Sequence, residues 1–197
     1  MKRHKPKMLF ALSAILMAAT VSQASPINGS LPLNGSVVTQ NGADLSVSTM
    51  ISAAMLINLS LGVGDYAFIP IGTSFGPATL NYTSNATLST FTFSSPVWGT
   101  FVAANNPSNQ IVQKTANFLD VFIIGTFSPG SNAGWAGKDP TQSSLRFSIN
   151  QSGASISEAI TLNSPALPPP GIPEPTTLTL IVPAFVALIS YRRFARG

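Results

Sequence analysis

The chain has 197 residues, of which only 8% are charged and none is cysteine, and its formal net charge is +4. With no disulfide and no thiolate available, the folded part must be held by its core alone, and a body of about 140 residues is long enough to build one. The charge resides at the termini, in Lys2, Arg3, Lys5, Lys7, Arg192, Arg193 and Arg196; residues 25–172 hold Lys114, Lys138 and Arg146 against Asp44, Asp65, Asp120, Asp139 and Glu158, three minus five, or −2. Such a body offers no basic surface interleaved with aromatics, so nucleic acid is not an expected partner.

Residues 1–7 carry four basic side chains and no acid, 8–19 are predominantly apolar, and Ser22-Gln23-Ala24 places small side chains before a scissile bond. Residues 1–24 therefore read as a Sec-type signal peptide, cut by signal peptidase between Ala24 and Ser25. Export follows from that reading.

From Ser25 to residue 163 the texture is Ser, Thr, Asn and Gly between short apolar runs, without the Lys, Glu and Ala runs of a helical bundle. Asn28-Gly29 and Asn34-Gly35 are expected to flank a short opening strand, and Asn41-Gly42 to form a turn before a strand over 45–48. In residues 50–61 the spacing of Ile51, Ala54, Met55 and Asn58 suits a helix, but Gly62 and Gly64 follow and a strand is expected. Further strands are expected over 87–93, 97–102 and 110–114. The clearest is 118–127, where Leu119, Val121, Ile123 and Phe127 share one face while Phe122 and Ile124 make the other face apolar too, the pattern of a central strand in a two-layer structure. Leu145, Phe147 and Ile149 alternate with Arg146 and Ser148 in a half-buried strand, and 154–162 is the last. Strict alternation puts Glu158 beside Ile156, Ile160 and Leu162, so a β-bulge is expected there to turn the carboxylate outward. The predicted fold is all-β, an antiparallel β-sandwich or jelly roll over residues 25–163. Residues 164–172, with Pro165, Pro168, Pro169 and Pro170, form a stiff polyproline-like linker expected to hold the domain off the membrane until the tail is processed.

The chemistry available to the body is sparse. The sole histidine, His4, leaves with the signal peptide, which removes Ser-His and Cys-His pairs and imidazole metal sites from the mature protein; no catalytic residue, cofactor or metal is expected. Asp120 and an inward Glu158 are the one carboxylate pair that strand geometry leaves possible. Trp98, Trp135, Tyr66 and Tyr82 are candidates for an aromatic platform that stacks on sugars. Trp98, at the start of a Pro-Val strand, is expected in the core, and Trp135, between Gly134 and Ala136, is open to either an exposed or a loop-capping role.

The last 25 residues carry the most specific pattern. Pro173-Glu174-Pro175 is followed by an apolar run over 176–191 and a basic tail over 192–197 containing Arg192, Arg193 and Arg196. Sixteen residues make a helix of about 24 Å, short for a bilayer core of roughly 30 Å, and the arginines can snorkel to the cytoplasmic headgroups. The two prolines hold Glu174 extended, as a segment entering a protease cleft must be. This arrangement resembles the PEP-CTERM sorting signal of Gram-negative bacteria. The resemblance implies recognition by an exosortase, a transient inner-membrane precursor, and release to the cell surface or exopolysaccharide matrix. The body is similar, over Ile27-Asn28-Gly29-Ser30 with Asn41-Gly42-Ala43-Asp44-Leu45, Gly64-Asp65-Tyr66-Ala67 with Ile69-Pro70-Ile71-Gly72-Thr73, and Gly125-Thr126 with Asp139-Pro140-Thr141 before Leu145-Arg146-Phe147, to a small β-rich domain common among such proteins. It departs from that pattern at Ile123-Ile124, where a second Gly-Thr pair is usual. What the resemblance implies is an exported matrix or surface protein of unknown biochemical role. Together with the sparse chemistry of the body, the expectation is a non-catalytic structural or adhesive protein; the alternatives are a carbohydrate-binding module using exposed aromatics and, behind it, a membrane-tethered enzyme.

Overall fold

The computed structural model describes residues 24–170. Its strands are β1 (Ser25–Pro26), β2 (Gly29–Gln40), β3 (Met50–Ile57), β4 (Val63–Gly64), β5 (Ser74–Phe75), β6 (Ala78–Asn81), β7 (Thr92–Ser95), β8 (Gly99–Ala103), β9 (Gln110–Lys114), β10 (Phe118–Ser128), β11 (Lys138–Asp139), β12 (Thr141–Ser152) and β13 (Ser155–Ser164). The all-β expectation is met. The expected signal peptide up to residue 23 and the expected sorting motif, with the apolar run and basic tail that follow it, lie outside the described residues; among the described residues no helix is long and apolar enough to cross a membrane.

Three long strands form the centre. β10 pairs with β12 over ten residues, Phe118↔Asn150 to Phe127↔Thr141, and β12 pairs with β13 over nine. The β12–β13 hairpin closes through Gly153-Ala154, with Gly153 at φ 58°, the conformation a type II′ turn requires of its first central residue. Alternation then puts Leu119, Val121, Ile123 and Phe127, Leu145, Phe147 and Ile149, and Ile160 and Leu162 on one face, all buried.

The sheet does not divide into a sandwich. Eight strands run in the order β5-β3-β2-β13-β12-β10-β8-β7, all antiparallel, and the two ends approach each other where the Gly76 amide donates to the Ser94 carbonyl at 2.7 Å. The result is one curved sheet that nearly closes as a barrel, filled by rings such as Phe75, Phe91, Phe93, Phe101 and Phe147. On its far edge β10 is paired in two pieces, with β9 along its first half and β8 along its second. Between them the buried Asn109 side chain stands in for a strand: its Oδ1 accepts from the Ile124 amide at 2.7 Å and its Nδ2 donates to the Ala104 carbonyl at 2.8 Å.

Several local expectations are corrected. Asn34-Gly35 is not a turn but the middle of the twelve-residue β2. Residues 45–48 form a turn, because Asp44 Oδ1 accepts from the Ser46 amide, the Ser46 hydroxyl and the Val47 amide and offers that backbone an alternative to a ladder. Asn85–Thr90 is a 3-10 helix whose Thr87, Ser89 and Thr90 hydroxyls each donate to the carbonyl three residues back, so the strand expected from residue 87 begins at Thr92. Residues 50–57 are a strand, and their irregular pattern has a cause. In β2 the inward positions pass from Leu31, Leu33 and Gly35 to Val38 across Val37, which sits at φ 51°; opposite it β3 passes from Ile51 and Ala53 to Leu56. Both strands change parity at the same place.

Over its described part the Pro-rich linker packs on the domain. The Ala166 amide donates to the Gln142 carbonyl at 2.9 Å, the Leu167 amide to Ser144 Oγ at 3.0 Å, and Gln110 Nε2 to the Pro170 carbonyl at 3.0 Å. Residues 165–170 lie against the outside of β10 and β12. This explains how Phe122 and Ile124 are buried on the second face of β10: the second layer is the chain's own proline-rich segment, not another sheet.

Val37 is exposed and β-branched, and the left-handed region costs such a residue about 1–2 kcal/mol. Val37→Asn should therefore raise stability by about 1 kcal/mol, read as a higher urea midpoint at unchanged slope; an unchanged or lower midpoint would show that the Val37 backbone is not strained.

Candidate functional site

The outward side chains of β10, β12 and β13 form three rows set by the ladder: Asp120, Ser148 and Ala159; Phe122, Arg146 and Thr161; Ile124, Ser144 and Asn163. Residues 165–170 close one side of this surface and leave a groove of about 370 Å³, lined on the sheet by Phe122, Ser144, Arg146, Ser148, Thr161 and Asn163 and on the wall by Leu167, Pro168 and Pro170. That volume lies at the lower end of the range for small-molecule sites.

One ion pair crosses its floor. Arg146 reaches from its own row to the neighbouring one, Nε to Asp120 Oδ1 at 3.2 Å and Nη2 to Oδ2 at 2.8 Å, a bidentate fork. The Asp120 side chain is only 9% exposed and the Arg146 side chain 53%, so the carboxylate is committed to the arginine while the guanidinium still meets solvent. The hydrogen bond to Asp120 holds the guanidinium even further toward its charged form than usual. Removing Arg146 would leave a buried carboxylate unpaired, which is the costly way to break such a pair.

The aromatic platform is not present. Tyr66 and Tyr82 are wholly buried, and Trp135 is 4% exposed. Trp135 Nε1 donates to the Trp98 carbonyl at 3.0 Å, and its ring packs against Tyr66, Phe68 and Phe127 at centroid distances of 5.6, 4.7 and 5.7 Å. Gly134, which reads in sequence as the neighbour of an exposed ring, instead makes room for Phe68: a Cβ there would come within 2.5 Å of that ring. Trp98 is partly buried and packs against the core, as expected of it. Tyr66 donates to or accepts from Ser164 Oγ at 2.6 Å, and Lys114 Nζ lies 4.8 Å over the Tyr82 ring. These four residues are core and loop anchors: Tyr66, Tyr82 and Trp135 bury their rings, Trp98 packs partly buried against the core, and Tyr66 and Trp135 give their polar atoms partners inside the protein.

The possible carboxylate pair is also resolved. Asp120 belongs to the outer face, whereas Glu158 lies opposite Ile149 on the inner face, so the sheet separates them. No bulge turns Glu158 out; the strict alternation of β13 holds, and Gly35 on β2 provides the space, since a Cβ at Gly35 would stand 2.0 Å from Glu158 Oε2. Oε2 has no hydrogen-bond partner among the described residues. Burial alone pushes this carboxyl from 4.5 up to about 7. Ala24 and Ser25 lie at the start of β1, where the Ser25 amide donates to the Gly137 carbonyl at 2.8 Å; Pro173, Glu174, Pro175, Arg192, Arg193 and Arg196 fall outside the described residues.

Arg146, Thr161 and Asn163 were not singled out by their sequence context. The available signal was parity: Asp120 and Arg146 both occupy the solvent-side positions of alternating strands, but only the register of β10 on β12 brings them together.

Because the folded Glu158 keeps a proton that the unfolded chain releases between pH 4.5 and about 7, stability should fall as pH rises through that window, by about 3 kcal/mol in all, and level off above it. No histidine lies in residues 24–170 to titrate there. Glu158→Gln should flatten the profile of urea midpoint against pH between 5 and 8; a wild-type profile that is already flat would contradict the buried carboxyl. Comparison with protein-family models, with curated proteins and with solved structures finds no match to this chain.

Proposed function

We propose that this chain is exported and processed by an exosortase to become a non-catalytic structural or adhesive protein of the bacterial surface or exopolysaccharide matrix. The observation that carries this reading is the succession of Pro173-Glu174-Pro175, the apolar run over 176–191 and Arg192, Arg193 and Arg196. In that order an extended, proline-framed acid lies outside the membrane, a helix holds the precursor in it, and arginines fix its orientation. The protein passes through signal peptidase, the inner membrane and exosortase before reaching its site of use.

Two features of the body support the same reading. Ser25 begins β1, so cleavage after Ala24 leaves no disordered remnant ahead of the first strand pair. The domain is built from neutral polar surface and an apolar core without disulfides, a construction that depends on no redox machinery outside the cell. The mature protein from its native host should accordingly begin at Ser25 by mass spectrometry, and recovery of exported protein that retains Met1 would count against signal-peptide cleavage.

Glu174→Ala separates recognition from anchoring. The substitution leaves the apolar run over 176–191 and the arginine tail unchanged, so the variant should accumulate as a full-length inner-membrane precursor while the wild type is shortened and released, seen by immunoblot of fractionated native cells. Wild-type protein recovered only as the full-length membrane form would refute processing.

A further inference from the structure

We propose that the groove over β10, β12 and β13 binds a neutral polysaccharide strand, with Arg146 as its polar anchor and residues 165–170 as its apolar wall; the matrix-protein reading is relied on only for the source of that glycan. Four observations select this ligand class.

The first is the chemistry of the floor. Ser148, Thr161 and Asn163 line it with short side chains that both donate and accept hydrogen bonds, mounted on central strands that cannot shift without breaking the ladder. This suits a ligand that presents hydroxyls in a row. The second is charge. Asp120 engages two of the five N–H donors of Arg146, leaving three for a ligand, while the pair as a whole is neutral and the body carries −2. An acidic chain gains no net attraction here and meets the buried Asp120 carboxylate behind the arginine; a hydroxyl takes the spare donors without opposition.

The third observation excludes a peptide strand. β10, β12 and β13 each have neighbours on both sides, so their backbone amides and carbonyls are consumed and no free edge is offered for strand addition. Recognition must fall on side chains. The fourth is the wall: Leu167, Pro168 and Pro170 present an apolar surface suited to the C–H face of a sugar ring, and it is held in place before any ligand arrives by the hydrogen bonds of Ala166, Leu167 and Gln110.

The test uses the mature protein purified from its native host, with calorimetric titration against three probes: the host's own exopolysaccharide, the neutral glucan laminarin and the acidic polygalacturonate. Thr161 is exposed on β13, so Thr161→Trp fills the groove without touching the core, and Thr161→Ser keeps the hydroxyl. Binding to a neutral glycan is expected, weakened at least tenfold by Thr161→Trp and retained by Thr161→Ser, with no change in the fluorescence of the wild-type tryptophans because Trp135 is buried and Trp98 is packed on the core. Arg146→Lys, which keeps the charge beside Asp120 but loses the fork, should weaken binding while circular dichroism stays that of the wild type. The proposal is overturned if no probe binds, if Thr161→Trp binds as well as wild type, or if polygalacturonate is preferred. Glycan binding by a protein whose release does not need Glu174 would keep the groove and remove the sorting reading; normal processing with no binding would do the reverse.

Discussion

The ladder formed by β10, β12 and β13 is the element on which the rest of the molecule depends. Its register places nine apolar side chains, from Leu119 to Leu162, on one face, and a cysteine-free chain has no covalent alternative to that burial. Every other strand of the main sheet is hung on this unit, β1 and β11 pairing only with each other: β2 and β3 extend it from β13, β8 and β9 extend it from β10, and the curvature of the whole brings β5 and β7 within one hydrogen bond of closing the sheet. A partly closed sheet protects its edges while leaving the outside of its central strands accessible.

That outside is where fold and function meet. A central strand apolar on both faces needs a cover for each, and β10 receives the barrel interior on one side and a proline-rich segment on the other. The prolines give this cover its shape at little conformational cost, and the few amides they leave, at Ala166 and Leu167, find acceptors on β12. A segment that connects the domain to its C-terminal region therefore also completes the groove. Its position ties the geometry of the groove to the stretch of chain that leads to the proposed processing site.

Two departures from regular strand chemistry sit together in β2. Gly35 leaves a gap in the inner face that the Glu158 carboxyl occupies, and two residues later Val37 takes a left-handed conformation that shifts the inward parity, so that Val38 packs beside the same carboxyl. The glycine accommodates the acid and the parity shift restores an apolar lining after it. A buried carboxyl without a partner is destabilising, and its retention inside the barrel rather than on the surface makes it the most unusual polar group of the core.

The sequence by itself determined the class of fold and its best strands. Leu119, Val121, Ile123 and Phe127 alternate with such consistency, as do Leu145, Phe147 and Ile149, that burial on one face of a strand is the only way to hide them together, and the second apolar face at Phe122 and Ile124 already required a second layer. It determined too the order of basic, apolar and proline-glutamate segments at the two termini, on which the proposed route through the membrane rests. Only the tertiary structure decided what that second layer is, because local patterning records that a face must be covered but not which distant segment covers it. It likewise decided that Asn34-Gly35 runs straight through a strand, since the use of Gly35 lies in the space it leaves for a side chain 123 positions away. The aromatic residues show the same limit: whether Trp135 or Tyr66 faces solvent depends on what stands opposite the ring, and Phe68, Phe127 and Ser164 are brought there by the fold alone. Arg146 and Asp120, 26 residues apart, become a fork because a ladder sets which residues stand side by side, and register is a property of two strands rather than of either sequence.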